Sequence, residues 1–138
     1  LVRTLLDDGT LALAQLHGQE DESYIRELKT YTDKLIIKAF SIKIAEDIEK
    51  ALQSSADYIL LDQGGGGTGK TFDWSLIPEI QRPFFLAGGI GASNLGQAIR
   101  EIHPYAVDLS SSVETEKRKD PMKIRQVVDI VREIKIIN

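Results

Sequence analysis

Five short apolar runs alternate along the chain with segments whose apolar and charged residues repeat at helical spacing. The apolar runs are LALAQLH (11–17), LIIKAFSI (35–42), YILLD (58–62), FFLAGGI (84–90) and AVDLSS (106–111). Runs of this length are typical of buried strands. The intervening DESYIRELKTY, KIAEDIEKALQSS and SNLGQAIREI predict helices, as does the closing KIRQVVDIVREIKII, whose core face comprises Val127, Ile130, Val131 and Ile134.

The predicted strands recur at a nearly constant spacing. They start at residues 11, 35, 58, 84 and 106, which are separated by 24, 23, 26 and 22 residues. A regular repeat of strand and helix predicts an α/β fold with a parallel sheet. Two architectures fit this repeat. A doubly wound sheet would be complete with five strands, whereas a TIM barrel has eight βα units in typically about 200–250 residues.

The first ten residues favour the barrel. LVRTLLDDGT has no initiator Met and has the pattern of a helix end with a Gly stop, followed at once by a strand. Three further units of about 24 residues would bring the chain to roughly 210 residues, within the barrel range. We therefore expect residues 1–138 to form one domain, a partial TIM (β/α)8 barrel of five parallel βα units from which the first three units are missing.

Composition and charge exclude several classes of protein. The chain is 42% hydrophobic and 28% charged, which provides enough apolar material for a core. Its 17 Lys and Arg against 21 Asp and Glu argue against a nucleic-acid partner, because phosphate-backbone binders need a basic surface. No window approaches the roughly 18 apolar residues of a membrane span, so we expect no membrane partner and a cytoplasmic location. The lack of cysteine excludes disulfides and thiolate metal sites.

A glycine-rich string, GGGGTGKT (64–71), follows the third predicted strand. It fits the P-loop pattern of nucleotide-binding proteins through Gly64, Gly69, Lys70 and Thr71. A P-loop opens a long helix, but Pro78 and Pro83 leave no room for one before the strand at residue 84. The alternative is a βα loop over an active site, in which Lys70 contacts either substrate or solvent.

Polar residues end two of the predicted strands. Asp62 closes YILLD, and a carboxylate at this position of a barrel points into the active-site mouth, although an Asx turn or a helix N-cap is an equally common use. His17 either contacts substrate or is a packed structural residue.

We expect two other polar features to be solvated. His103 would lie at the opposite end of the barrel, and the charged run ETEKRKD (114–120) would form a loop.

Five ordered blocks give a more specific indication. QLHG (15–18), IIKAF (36–40), LDQGGGGTGKTFDW (61–74), FFLAGGI (84–90) and VDLSSSVE (107–114) resemble motifs of the N-(5'-phosphoribosyl)anthranilate isomerase family of tryptophan biosynthesis, in the family's order. The resemblance covers essentially the whole chain and places it at the fourth to eighth βα units. It implies an isomerase that makes 1-(2-carboxyphenylamino)-1-deoxyribulose 5-phosphate from phosphoribosylanthranilate by an Amadori rearrangement.

The same resemblance implies catalytic roles. Asp62 corresponds to the general acid that protonates the furanose ring oxygen, so that the sugar ring opens. The family's general base is a cysteine on the first strand, and an arginine in the first three units binds the anthranilate carboxylate. Because the sequence has no cysteine, the general base is not present in this chain, and we expect the chain alone to be inactive. We expect no metal and no organic cofactor, since acid and base catalysis suffices.

The ends of the last two strands supply groups suited to a substrate phosphate. The predicted phosphate-binding residues are Gly88, Gly89, Asp108, Ser110 and Ser111. The glycines permit close approach of backbone N–H groups, the serines add donors at the start of a short helix, and the aspartate orients the loop. The alternatives are tight packing of a helix on the sheet for AGGI and an ordinary polar turn for SSS. Ser112 stands where the family usually has glycine, which implies strain if this position needs a positive φ.

The predicted partner is therefore a small phosphosugar substrate, with His17 as a possible further contact. Five parallel strands without closure leave two open edges, so self-association or pairing with a missing N-terminal segment is also expected. Two other functions stay open at this point. One is a phosphate-binding barrel fragment without catalysis, which the missing base suggests, and the other is a P-loop nucleotide binder.

Overall fold

The computed structural model describes residues 1–63 and 73–137, with side chains through residue 134. The strands in these ranges that form one parallel sheet are β1 (Leu13–Leu16), β2 (Leu35–Ser41), β3 (Tyr58–Asp62), β4 (Phe84–Leu86) and β5 (Ala106–Val107). Each predicted strand is confirmed, but all except β3 are shorter than their apolar runs, β4 and β5 most of all. After β4, Gly88 and Gly89 adopt φ of 81° and 68°, outside the β region, so the strand cannot continue through them.

Between β3 and β4 the described residues contain only a 3-10 turn, Trp74–Leu76, whereas α-helices lie at the other positions of the repeat. They are α1 (Val2–Asp7), α2 (Glu22–Tyr31), α3 (Ala45–Leu52), α4 (Leu95–Ile102) and α5 (Pro121–Ile137). Helix ends follow local signals in the sequence. The Asp21 carboxylate caps α2 by accepting a hydrogen bond from the N–H of Tyr24 (2.9 Å). Gly9, with φ of 79°, follows the end of α1 and confirms the predicted glycine stop.

The order of the strands distinguishes the two architectures. The strands lie in the sheet in sequence order, and each neighbouring pair is parallel. A doubly wound sheet changes the direction of strand addition at its switch point, whereas consecutive strands of a TIM barrel are neighbours. The observed order is that of consecutive barrel strands.

The two faces of the sheet have different coverings. On one face, Ile59 and Leu61 of β3 are buried in a cluster that includes Leu95 and Ala98 of α4. On the other face, the described residues form a cluster of strand and strand-end side chains without a helix residue: Ile37, Ala39, Tyr58, Leu60, Phe85 and Ala87. In a TIM barrel the first face is the outer one, covered by helices, and the second lines the interior. The carboxyl ends of the strands therefore open onto the position of a barrel's active site.

The last helix packs as its periodicity predicts. Val127 and Ile134 of α5 are 7% and 8% exposed, and Ile130 and Val131 pack against the same core. These positions lie on one side of the helix because they are three or four residues apart.

The segment 114–120 differs in part from its prediction. It is largely solvated, as expected, but it is a hairpin rather than an irregular loop: β6 (Glu114–Thr115) pairs antiparallel with β7 (Arg118–Lys119). Glu116 and Lys117 form its turn with φ of 51° and 62°. Two successive residues with positive φ make the turn that matches the twist of a two-residue hairpin, and the charged sequence gives no turn signal such as Asn-Gly.

Candidate active site

Backbone hydrogen bonds continue past the carboxyl ends of the strands and hold the following loops side by side. The N–H of Ala87, after β4, donates to the C=O of Leu61 in β3 (2.8 Å). The N–H of Asp108, after β5, donates to the C=O of Leu86 in β4 (2.9 Å). The loops after β3, β4 and β5 therefore start side by side at the carboxyl end of the sheet.

A cavity of about 390 Å³ opens at this carboxyl end of the sheet. The seven residues that the sequence marks as catalytic, phosphate-binding or substrate-contacting all line it: His17, Asp62, Gly88, Gly89, Asp108, Ser110 and Ser111. Ala87, Ile90 and Ser112 line the same cavity. The fold thus gathers residues from the ends of four strands, β1, β3, β4 and β5, into one wall.

His17 and Asp62 approach each other within this cavity. The Nε2 atom of His17 lies 3.6 Å from Oδ2 of Asp62. The His17 side chain is 61% exposed and that of Asp62 only 14%. β2 lies between their strands, and Ser41 is its residue in register with Asp62. A largely enclosed carboxyl group beside an imidazole is chemically suited to hold and transfer a proton.

Asn94 fixes the glycine loop after β4. Its Oδ1 accepts a hydrogen bond from the N–H of Gly91 (2.9 Å), and its Nδ2 donates to the C=O of Gly89 (3.0 Å). Sequence analysis did not identify this residue. The signal was available, because Asn94 directly precedes the helical pattern of α4, where an N-cap residue is expected.

The serine loop after β5 is held by the hairpin. Ser111–Val113 form a single turn of 3-10 helix, so the predicted helix is present but only three residues long. The Nζ of Lys119 donates to the C=O of Ser110 (3.0 Å) and to Oε1 of Glu114 (2.7 Å). Sequence analysis did not identify Lys119, because it lies in a charged run and no local pattern shows which lysine of that run makes a specific contact.

Ser112 occupies its position without backbone strain. The non-glycine residues with positive φ in the described ranges are His103, Glu116 and Lys117, so the strain considered for a serine at this position does not arise. Its Oγ is buried without a hydrogen-bond partner among the described residues. A Cβ atom on Gly91 would lie 3.0 Å from the Cβ of Ser112, which shows how closely the two loops pack.

Other sequence predictions concern residues that the structure does not describe or that do not line this cavity. The P-loop pattern, including Lys70, lies at 64–71, outside the described residues. After it, the helix found within 73–83 is a 3-10 turn, Trp74–Leu76. His103 is exposed at the end of α4 and does not line the cavity, in agreement with the prediction.

The described ranges contain neither a candidate metal site nor a membrane-spanning helix. No group of three or more His, Cys, Asp or Glu side chains there could hold a metal ion. The helices in this part of the chain are also too short or too polar to cross a bilayer. The absence of a metal requirement stays a prediction from the chemistry.

Comparison with known proteins identifies the family. The model for N-(5'-phosphoribosyl)anthranilate (PRA) isomerase matches residues 1–130. An N-(5'-phosphoribosyl)anthranilate isomerase from Endomicrobium trichonymphae is 45% identical over 134 residues, which cover 94% of this chain and 66% of the relative. The chain spans 60 to 66% of the length of such relatives.

Solved structures agree with this match. The phosphoribosyl anthranilate isomerase of Thermotoga maritima has a TM-score of 0.78 and 34% identity, with 95% of this chain and 68% of that chain covered. A phosphoribosyl anthranilate isomerase in complex with reduced 1-(o-carboxyphenylamino)-1-deoxyribulose 5-phosphate has a TM-score of 0.74 and 32% identity, with 95% and 66% covered. The chain therefore belongs to the N-(5'-phosphoribosyl)anthranilate isomerase family.

Proposed function

We propose that the protein is a phosphoribosylanthranilate isomerase that binds its phosphosugar substrate in the cavity at the carboxyl ends of the strands. The observation that carries this proposal is the placement of Asp62, which ends β3 in the cavity wall with only 14% of its side chain exposed. TIM-barrel enzymes place their catalytic groups at the carboxyl ends of strands. Membership of the family supports the reaction.

In this proposal Asp62 acts as the general acid. It protonates the furanose ring oxygen while the bond from that oxygen to C1 breaks, and the lone pair of the anthranilate nitrogen forms the C1–N double bond. A base then removes the proton from C2, and the electrons of that C–H bond form a C1–C2 double bond. The C1–N double bond becomes single at the same time, because its electron pair returns to the anthranilate nitrogen. The resulting enolamine tautomerises to the ketose product. Each of these steps involves a proton transfer, so the proposed mechanism includes no metal and no organic cofactor.

The base for the second step is not assigned to a residue of this chain. The family resemblance implies a cysteine, and the sequence has none. We propose that β1 to β5 correspond to the fourth to eighth strands of the family barrel, and that the first three units supply both the base and the arginine for the anthranilate carboxylate. The coverage of about two-thirds of the relatives is close to the share that five of eight units would make, which supports the number of units in this correspondence.

The inner face of the sheet supports the same correspondence. Leu13 and Leu35, which are in register on neighbouring strands, are 41% and 45% exposed. Tyr105 is 65% exposed although its ring stacks at 5.5 Å on that of Tyr58. Closure of a barrel would cover such side chains. We propose that the edges of β1 and β5 pair with the first three strands of the family barrel or, without them, with a second copy of this chain.

The substrate phosphate is proposed to bind between the two loops that follow β4 and β5. The residues concerned are Gly88, Gly89, Ser110 and Ser111, with Asp108 orienting the second loop and His17 as a further substrate contact. Barrels commonly hold phosphate after their last two strands. The ligand in the related solved complex is itself a sugar 5-phosphate.

We also propose that residues 1–138 form a single domain, that the protein is cytoplasmic, and that it has no nucleic-acid or membrane partner.

A phosphate-binding protein without catalysis is the second candidate. This chain has no cysteine and therefore lacks the base that the family resemblance implies, so on its own it would bind substrate without turning it over. The same cavity would still bind the phosphosugar, so binding alone does not separate the two candidates.

Titration of the 15N-labelled chain with the reduced product named above tests the site. We expect saturable amide shifts at Gly88, Gly89, Ser110 and Ser111, and smaller shifts of the same signals with inorganic phosphate. Unchanged signals in this set would contradict the proposed site. Turnover is then measured for the chain joined to the first three βα units of the Thermotoga maritima enzyme, which in this proposal supply the base. An isomerase site then consumes phosphoribosylanthranilate, whereas a site that only binds phosphate gives no turnover even with the base supplied.

A further inference from the structure

A charged side chain lies in the middle of β2. Lys38 is only 5% exposed and is the one charged residue among the buried residues of the described ranges. Strand alternation places it on the helix-covered face, opposite to that of Ile37 and Ala39. A buried ammonium group is costly unless it is paired and hydrogen-bonded, so its partners identify what it holds.

Those partners belong to the loop after β1. The Nζ of Lys38 donates to the C=O of Gly18 (2.9 Å) and to Oε2 of Glu20 (2.9 Å). The same carboxylate oxygen of Glu20 accepts a hydrogen bond from the N–H of Gly18 (2.9 Å). Lys38 and Glu20 together therefore engage both polar backbone groups of Gly18.

The pairing leaves little free space around Gly18. A Cβ atom at this position would lie 3.0 Å from Oε1 of Glu20. The hydrogen bond from Lys38 lowers the pKa of Glu20, which keeps its carboxylate charged and able to accept both bonds. A glycine held at both its N–H and its C=O loses most of the backbone freedom that glycine otherwise has.

Gly18 directly follows His17, the residue beside Asp62 in the cavity. With 61% of its side chain exposed, His17 has few packing contacts that could fix its orientation. Its distance of 3.6 Å from Asp62 therefore depends on the backbone that carries it. Lys38 and Glu20 hydrogen-bond to that backbone at the next residue, Gly18.

We propose that Lys38 and Glu20 are positioning residues of the active site, which fix the backbone of Gly18 and so hold His17 against the general acid Asp62. The inference rests on the proposed function for the role of Asp62. It extends that function by naming two residues outside the cavity that control its geometry. The competing explanation is that the pair contributes only to folding stability.

The two histidines of the sequence allow these explanations to be separated by NMR of the labelled 138-residue chain. The ring signal of His17 reports the site, and that of His103, which does not line the cavity, reports the fold. The measurement is the change in the His17 signal caused by Asp62→Asn, made in the natural background and in the Lys38→Met background. We expect Lys38→Met to reduce this change about twofold or more, because a contact near hydrogen-bond range weakens steeply when its groups move apart or turn.

Lys29→Met is the matched control, because Lys29 also pairs with a carboxylate and a carbonyl, those of Asp57 and Ser55. It should leave the response of His17 intact. A full response in a folded Lys38→Met protein, an equal loss in Lys29→Met, or no response to Asp62→Asn in the natural background would each overturn the proposal.

The Glu20 variants decide the question if Lys38→Met does not fold. Glu20→Gln keeps an oxygen acceptor for Gly18 and Lys38 and should retain the response, whereas Glu20→Ala should lose it. Equal responses in these two variants would also overturn the proposal. The readout needs neither substrate nor turnover, so its failure is distinct from a failure of the isomerase assignment.

Discussion

A Cβ atom on Gly88 would lie 2.5 Å from Oδ1 of Asp62, so the Asp62 carboxyl group occupies space that any other residue at position 88 would fill. The same atom would lie 2.7 Å from the backbone nitrogen of Gln63. Gly88 also has φ of 81°, which side-chain-bearing residues rarely adopt. Two independent constraints thus require glycine beside the proposed acid.

The first prediction compares two Gly→Ala variants. Gly9 has nearly the same conformation, with φ of 79°, but a Cβ atom there would meet nothing within 4 Å. Gly9→Ala should therefore cost only the backbone strain, about 1 kcal/mol of unfolding free energy. Gly88→Ala should cost more and should also weaken binding of the reduced product, because Asp62 is displaced. Urea unfolding and ligand titration check this, and equal ligand affinity in the two variants would contradict it.

The second prediction concerns acid stability at the other end of the sheet. The Asp57 carboxylate accepts hydrogen bonds from Lys29 Nζ (2.6 Å) and from the N–H of Ile36 (2.8 Å). Burial raises the pKa of Asp57, but these bonds outweigh it and the net pKa is lowered. The folded state thus binds this proton more weakly than the unfolded state. The stabilisation is present above the unfolded pKa and is lost as the pH falls below about 4 through the folded pKa.

Asp57→Asn should therefore lower the unfolding free energy by about 1–3 kcal/mol at neutral pH and by less at pH 3. Asp7→Asn removes an equal charge from an exposed pair with Arg3 (3.4 Å) and should change stability little at either pH. Urea unfolding at the two pH values measures both effects. The same loss at both pH values for Asp57→Asn would show that the charged form is not the stabilising one.

The third prediction concerns the serine loop. Lys119→Met removes the hydrogen bond to the Ser110 carbonyl and should weaken binding of the reduced product about twofold to fivefold, with little effect on stability. Lys117, at the turn of the same hairpin, gives the matched control, since Lys117→Met changes the net charge equally. Calorimetric titration with the reduced product measures the affinity of both variants. An equal loss of affinity in both variants would indicate a general effect of charge rather than loop positioning.

Local patterns in the sequence predicted most of the fold. Apolar runs located the strands, and Asp21 and Gly9 mark helix ends through capping interactions that involve near neighbours. The bounds of β4 were less accurate, because apolarity does not reveal that Gly88 and Gly89 leave the β region. The hairpin at 114–120 was not predicted, since its turn residues Glu116 and Lys117 are not typical turn formers.

The candidate site was predictable where residues lie at strand ends, and less so where a contact joins distant segments. Asp62 and the glycine and serine loops follow apolar runs directly, which is why the sequence marks them. Lys38 reaches a loop 18 to 20 residues earlier, and no local pattern specifies that contact. A lysine inside the buried run IIKAF nevertheless indicates a specific partner. In a strand that is covered on both faces the ammonium group cannot be hydrated and must be paired instead.

The most direct test of the assignment is the turnover number of the joined protein described above, compared between Asp62→Asn and Asp108→Asn. Both variants remove one carboxylate from the same cavity wall. If Asp62 is the general acid, Asp62→Asn should lower kcat about 100-fold to 10,000-fold, whereas Asp108→Asn should mainly raise KM. Turnover that survives Asp62→Asn, or falls equally in both variants, would contradict the assignment of Asp62 as the acid.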